Sequence, residues 1–517
     1  MDPRRPLLLR EVTEDRGPLT PSLAAPLRDA LLAADFTYDA VAELLGAEAH
    51  SALSRNETTP ALRRAAGGGP LATLVRLFLL QRTVPFSDAE RALPGLVDRL
   101  AADGLLTQSG GEVAARLDCR PYSTEDAPDL WVVSDLTPGM DGAPQRVTTD
   151  YVLGISPAST SLAQLTLRHD VASALDLGTG CGVQALHLAG HADRVVATDV
   201  NPRALDLARF NAELNEVGGQ VDVRDGSFFA PVAGERFDLI TTNPPFVISP
   251  ATGRQEDRLV YRDSGLPGDQ AVEHVVRTAP AHLADSGWCQ VLANWAILAD
   301  RPWDERLADW LPDDCDALVV QREVLDPAAY VELWLKDSGH HPSTGTGTPA
   351  AYTARYDAWL SWLEEQGVAG IGFGWINLHR TGVSAGSTNN RREVLEWPYD
   401  VEQPIAPAVA DWARAGAVEV GPDTTLVVRP DVRQETVGPV GAEDPATILL
   451  RQQRGLRRAR QVDTVVAAVV GACDGELPVG AILDAVAQLL GLDAAATKEQ
   501  YLPELAAMVG EGYLVHG

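Results

Sequence analysis

The sequence predicts an α/β chain: a parallel sheet covered by helices on both faces, flanked at each end by helical, winged-helix-like segments. Three observations carry that expectation. Between about residues 171 and 380, apolar β-branched runs alternate with helical stretches. These runs are continuously apolar, as strands buried on both faces are. Both ends of the chain, in contrast, read with helical periodicity.

The central strands are expected at Ala172 to Leu177, Arg194 to Thr198, Gln220 to Arg224, Phe237 to Thr241 and Trp288 to Ala293. Cys315 to Gln321 and Ile371 to Leu378 read as two later strands of the same sheet, which makes seven. Ser338 to Ala350, rich in Ser, Gly, Thr and Pro, reads as a flexible insertion between those two, and its His340-His341 doublet as loop composition without a metal role. Toward the N-terminus, helices are expected over Leu23 to Ala33, Tyr38 to Leu45, Leu71 to Gln81 and Asp88 to Asp103. Gly104, a short Leu105-Leu106 run, a Ser109-Gly110-Gly111 turn and Val113 to Leu117 then complete the outline of a winged helix. Toward the C-terminus, Val462 to Val470, Ala481 to Leu490 and Leu502 to Val509 read as three helices followed by Tyr513-Leu514-Val515. Two readings stand there, a second winged-helix-like unit and a small helical packing domain. The predicted division is 1–112, 113–392 and 393–517, with 394–450 a connector containing some strand.

At 517 residues the chain exceeds one ordinary core. The short apolar stretch Leu7-Leu8-Leu9 does not make a signal peptide and no apolar run is long enough to cross a bilayer, so a cytoplasmic protein without membrane contact is expected. The five cysteines form no CxxC pair, which fits neither a disulfide framework nor a zinc site. A net charge of −30 disfavours non-specific nucleic-acid binding. A local cluster, Arg451, Arg454, Arg457, Arg458 and Arg460, works against that reading; the bland alternative is a solvated helix face with acidic partners. With only two lysines, Lys336 and Lys498, part of the acidity reflects compositional bias.

The chemistry is concentrated at three strand ends. Asp176-Leu177-Gly178-Thr179-Gly180-Cys181-Gly182 closes the first strand and opens a helix, and its glycines let the backbone turn tightly against a ligand. Asp199 ends the second strand, 21 residues after Gly178, where a carboxylate accepts from both hydroxyls of a ribose. Dinucleotide enzymes use a similar loop. Three details favour S-adenosylmethionine (SAM): Asp176 ahead of the first glycine, suited to an ammonium held through water; Asp225-Gly226-Ser227-Phe228 at the end of the third strand, suited to an adenine amino group; and Asn243-Pro244-Pro245-Phe246 at the end of the fourth. Phe228 itself reads as core. Consecutive prolines remove two backbone donors. What remains is acceptors, the Asn243 side-chain oxygen and the Pro244 carbonyl, which together hold a planar NH2 group, while Phe246 offers a flat face for an amide or a base. Methyl transfer to such a nitrogen needs positioning rather than a strong base, so no general base is assigned.

In these residues the chain resembles the class I SAM methyltransferases with an (N/D/S)PP(Y/F/W) motif, most closely the branch of release-factor glutamine methyltransferases and rRNA guanine-N2 and adenine-N6 methyltransferases. The matching residues are Asp176 to Gly182, Asp199-Val200-Asn201-Pro202, the Ala204 to Asn211 helix, Asp225, Asn243 to Phe246 and Gly265 to Val276. The resemblance implies a Rossmann-like seven-stranded core, SAM bound by Gly178, Gly180, Asp199 and Asp225, a target nitrogen bound by Asn243, and a cofactor-covering segment at Gly154 to Ser161. Four functions stay open at this point: transfer to a Gln or Asn amide of a protein or peptide, transfer to a base of structured rRNA or tRNA, transfer to a small molecule, and a SAM-sensing regulator without catalysis.

Overall fold

The computed structural model describes residues 19–124, 127–143, 147–250, 259–260, 262–263, 265–343, 347–381, 390–416, 419–440 and 446–517. The Met1 to Glu11 stretch and part of the Ser338 to Ala350 insertion lie outside the described residues.

The centre is one sheet built from β1 (Val171–Leu177), β2 (Ala192–Asp199), β3 (Val221–Asp225), β4 (Phe237–Thr242), β5 (Leu283–Leu298), β6 (Cys315–Leu325), β7 (Val368–Arg380) and β8 (Arg392–Glu396). Their spatial order is β8-β6-β7-β5-β4-β1-β2-β3. All seven expected strands are present, but the sheet is mixed: β7 runs antiparallel to both β5 and β6. It also has an eighth strand, β8, parallel to β6, which begins where the connector was expected. β8 escapes recognition in sequence because Arg392, Glu393 and Glu396 leave only a two-residue apolar run.

The helices are α1 (Pro157–Leu165), α2 (Val183–Ala189), α3 (Pro202–Leu214), α4 (Gln270–Thr278), α5 (Trp303–Ala308), α6 (Pro327–Asp337) and α7 (Pro349–Glu365). Alternate side chains of one strand enter different cores. Leu175 and Leu177 of β1 pack with Val272, Val275 and Val276 of α4, whereas Ala174 packs with Leu162 and Leu165 of α1 and Leu188 of α2. Helices therefore cover both faces, as the apolar strands require. The strand order reverses between β1 and β4, which opens a crevice at the C-terminal ends of the strands.

Ahead of the sheet, the strands Val84–Pro85, Glu112–Ala115 and Leu106–Ser109 form a small antiparallel sheet beside short helices. The expected helix Asp88 to Asp103 is instead two helices, Phe86–Ala92 and Val97–Ala102. Pro94 and the left-handed Gly95 (φ 69°) interrupt it. Leu71 to Gln81 is also divided, with an α-turn at Pro70–Leu74 and a wider π-turn at Val75–Leu79. This N-terminal core is not separate from the sheet layer, because Val183, Leu186, Leu207, Phe210 and Leu214 of α2 and α3 belong to it.

A hairpin, Leu117–Thr124 and Ala127–Asp135, is fastened to α3 by asparagines. Asn211 is fully buried; its Oδ1 accepts from Val133 N at 2.8 Å, and its Nδ2 donates to the carbonyls of Val133 at 2.8 Å and Cys181 at 2.7 Å. Asn211→Ala strips partners from three buried backbone groups. We expect it to cost on the order of 3 kcal/mol in a urea titration, and a loss below about 1 kcal/mol would contradict this role.

After β8, a helix at Ala406–Gly416 packs on the sheet through Val409 and Trp412. Helices Thr464–Gly471, Val479–Leu490 and Ala494–Gly510 then surround a three-stranded sheet of Asp474–Pro478, Thr425–Val428 and Leu514–His516. A second three-stranded sheet holds Val432–Val437, Thr447–Gln452 and Ala459–Val462. The arginine cluster lies on this second sheet and its turn, not on a helix. Arg451 pairs with Glu435, Arg454 faces Glu402, Arg458 pairs with Glu393 of β8, and Arg460 pairs with Glu504 and Glu511. Four of the five arginines are thus paired with acidic side chains, and Arg457 is exposed.

Candidate active site

A cavity of about 390 Å³ opens at the crevice between β1 and β4. Of the residues singled out in sequence, Asp176, Gly178, Gly180, Asp199, Gly226, Ser227, Asn243 and Pro244 line it.

The glycine loop is pinned from below. The amides of Gly178 and Thr179 donate to the Thr198 carbonyl at 2.9 and 2.8 Å. Gly178 and Gly180 have φ of 79° and 56°, and a Cβ at either would point into open space. The backbone is thus bare toward the cavity, as a close ligand approach requires. Gly182 differs: it does not line the cavity, and a Cβ there would stand 3.3 Å from the Ala208 Cα. Its expected cofactor contact is replaced by close packing of the loop on α3.

Asp199 supports the same loop. Its Oδ2 accepts from Gly180 N and its Oδ1 from Asn201 N, both at 2.9 Å. Burial pushes its carboxyl above the usual range, and the nearby Asp225 charge adds to that.

Asp176 is also buried. Its Oδ2 accepts from Thr179 Oγ1 at 2.5 Å and from Ala185 N at 2.9 Å, tying the loop to the first turn of α2. Burial raises its pKa to about 7. The folded protein therefore keeps a proton that the unfolded chain releases near pH ~4. Its stabilising contribution is complete at low pH and is lost as pH rises to about 7. We expect Asp176→Asn to flatten this part of the profile, so that the wild-type melting temperature falls relative to the variant's across that window; a constant gap would contradict the assignment.

Asp225 stands apart from its expected role. It is exposed at the end of β3 and is not part of the lining, whereas the next three residues are. Phe228, expected in the core, does both: it lines the cavity and packs against His274 with ring centroids 4.8 Å apart.

Asn243 follows β4. Its Oδ1 is shut off from solvent and accepts no hydrogen bond among the described residues. Buried acceptors are almost always paired, so this one lacks a donor that the described residues do not supply; Gln184 Oε1, of another residue lining the cavity, is in the same state. Pro244 and Pro245 also line the cavity. Phe246 does not. Its backbone bridges to Asp263, and its ring makes a T-shaped contact with Trp334 on α6, with centroids 6.2 Å apart.

Several lining residues carry no signal in the sequence, notably Tyr151, Leu153, Gln184 and Asp263. Val152 is held by Asp135, whose Oδ2 accepts the Val152 amide at 2.9 Å, and Asp135 is paired with Arg203 of α3. The Asp150 carbonyl accepts from Asn201 Nδ2 at 2.9 Å, and Val260 N donates to the Thr149 carbonyl at 3.1 Å. In sequence, the Asn201-Pro202 helix cap is the one signal near these partners; the rest depends on residues distant in the chain. Gly154, Ser156 and Ser159, within the expected covering segment, also line the cavity. Among the described lining residues none is Lys, Arg or His.

Residues 154–301 match the family described as the methyltransferase small domain. This segment is a class I SAM-dependent methyltransferase domain. Two further families, each described as a domain of unknown function, match residues 33–116 and 408–516. The chain is 34% identical over 146 residues to the ribosomal protein uL3 glutamine methyltransferase of Bradyrhizobium diazoefficiens, covering 26% of this chain and 46% of that one. It is 36% identical over 151 residues to the release factor glutamine methyltransferase of Cereibacter sphaeroides, covering 28% and 53%. For the release factor glutamine methyltransferase of Xylella fastidiosa the values are 35% over 159 residues, covering 29% and 58%. The chain thus spans about half the length of the curated relatives it matches. The methyltransferase domain accounts for the cavity-bearing part of the sheet, and its match ends before β6.

Proposed function

We propose that this chain methylates the side-chain amide nitrogen of a glutamine in a protein, using SAM. The observation that carries the reading is Asn243 Oδ1, a buried acceptor without a partner among the described residues, in the wall of the cavity that also holds the glycine loop and Asp199.

When bound, SAM supplies a methyl carbon made electrophilic by the attached sulfonium. The bare backbone at Gly178 and Gly180 would let the cofactor lie close, Asp199 would accept from its ribose hydroxyls, and Gly226, Ser227 and Phe228 would hold its base. Asp176 ties the loop to α2 and also lines the cavity. Asn243 Oδ1 and the Pro244 carbonyl accept the two N–H groups of the amide, hold its nitrogen toward the methyl carbon and polarise it. The amide proton leaves to water after transfer, so no side chain takes it beforehand.

A protein substrate is favoured over RNA by the lack of cationic side chains in the described lining and by the acidic pairing in the arginine cluster. The names of the relatives point the same way, since both describe glutamine methylation in proteins. Such substrates belong to the cytoplasm, and no helix of the described residues is long and apolar enough to cross a membrane. The test is incubation of the full chain with tritiated SAM and cell lysate, treated with RNase or with protease. Label that survives RNase and is lost to protease is expected; label lost to RNase overturns the protein reading.

A further inference from the structure

The loop that carries Asn243 is held by side chains from far outside residues 154–301. Ile248 lies two residues beyond Phe246 and is fully buried. Both of its backbone polar groups are taken by side chains. Its N–H donates to the Tyr330 hydroxyl oxygen at 2.8 Å, and its carbonyl accepts from Trp359 Nε1 at 3.0 Å. Tyr330 is on α6 and Trp359 on α7, the two helices inserted between β6 and β7. The Tyr330 hydroxyl also accepts from Asn294 Nδ2 on β5 at 3.1 Å. Trp334 of α6 makes a T-shaped contact with the Phe246 ring, with centroids 6.2 Å apart.

The Pro-Pro sequence makes such a device useful. Pro244 and Pro245 have no N–H, so the stretch after β4 lacks two of the amides that would normally pin a loop. Beyond them the Val247 amide donates to the Arg262 carbonyl at 3.2 Å, and after it comes Ile248. The α6–α7 pair supplies from outside what the loop cannot supply itself.

We propose that Tyr330 is a positioning residue for methyl transfer. Through the Ile248 amide it fixes the Asn243-Pro-Pro-Phe loop, and with it the location of Asn243 Oδ1, while Trp359 holds the carbonyl of the same residue. This rests on the amide-methylation reading above. Tyr330 does not line the cavity, so it acts on the loop and not on the cofactor.

The test uses the full-length chain with Tyr330→Phe, which keeps the buried ring and removes only the hydroxyl, and with Trp359→Phe as a second variant. Hydrogen–deuterium exchange reads the Ile248 amide directly, calorimetry reads SAM binding, and purified release factor and uL3 serve as methyl acceptors. We expect faster exchange at Ile248, a SAM Kd within about twofold of wild type, an unchanged KM for SAM, and kcat lowered roughly tenfold to a hundredfold. Ile248 exchange at the wild-type rate, or faster exchange with wild-type kcat, overturns the proposal. A loss of SAM affinity equal to the loss of kcat also overturns it, because it reveals a general structural role. A wild-type enzyme that methylates neither protein overturns the substrate reading instead, and the exchange measurement, which needs no substrate, separates that failure from this one.

Discussion

Asn243→Ala is expected to abolish methyl transfer while SAM still binds. Truncation removes a buried acceptor that stands unpaired among the described residues just after β4 and leaves the glycine loop, Asp199 and the Gly226 to Phe228 turn in place. Loss of a single preorganised polar group at a reacting centre lowers kcat by about 10²-fold to 10³-fold. The two prolines offer no replacement donor or side-chain acceptor. Steady-state kinetics with calorimetric SAM binding separates the two effects: kcat falls by at least about a hundredfold and the Kd for SAM moves by less than about threefold. An equal loss in both would mean that Asn243 serves the cofactor and not the target nitrogen.

The second large effect is expected at Asp199, on the cofactor side. Its two carboxylate oxygens hold Gly180 N and Asn201 N, so one side chain fixes both the glycine loop and the cap of α3. Asp199→Ala removes these bonds together with the acceptors offered to the ribose. Hydrogen bonds to a charged group contribute about 1.5–3 kcal/mol each, so SAM affinity should fall about a hundredfold or more. Asp199→Asn retains one acceptor and should lose less. Calorimetry decides, and an unchanged Kd in the alanine variant would remove Asp199 from the cofactor site.

Much of this site is legible in the sequence because its parts are local. A strand, a glycine turn and a carboxylate at the end of the next strand lie within a short stretch, and Asn243 to Phe246 announces its chemistry in four residues. The errors arise where a partner from elsewhere decides the outcome. Gly182 sits in the same motif as Gly178 and Gly180, yet it faces α3 because Ala208 packs against it. Phe246 reads as a free flat face, and the sequence gives no sign that Trp334, far along the chain, meets it in a T-shaped contact. Asp225 is one residue short of the lining, a distinction set by a single turn at the end of β3. Helices α6 and α7 escape recognition in sequence because the Ser, Gly, Thr and Pro stretch between them dominates the pattern from β6 to β7. The arginine cluster is conspicuous in sequence, but its meaning lies in Glu393, Glu402, Glu435, Glu504 and Glu511, which tertiary structure brings to it.

The same separation of local from distant applies to the flanks. Asn211 carries no visible signal within its helix, yet it joins the hairpin to α3 and to the glycine loop through Val133 and Cys181. The N-terminal core and the cofactor site therefore share α3. A change in either is expected to be felt in the other, since packed elements transmit strain.

The most direct measurement for the central claim is tandem mass spectrometry of the product. The full chain is incubated with SAM carrying a deuterated methyl group, together with purified release factor and uL3, and the labelled peptides are fragmented. The account predicts one labelled methyl on a glutamine side-chain nitrogen, absent when Asn243→Ala replaces the wild type. A labelled methyl on lysine, arginine or a carboxylate, or label found on co-purifying RNA and on neither protein, would contradict it.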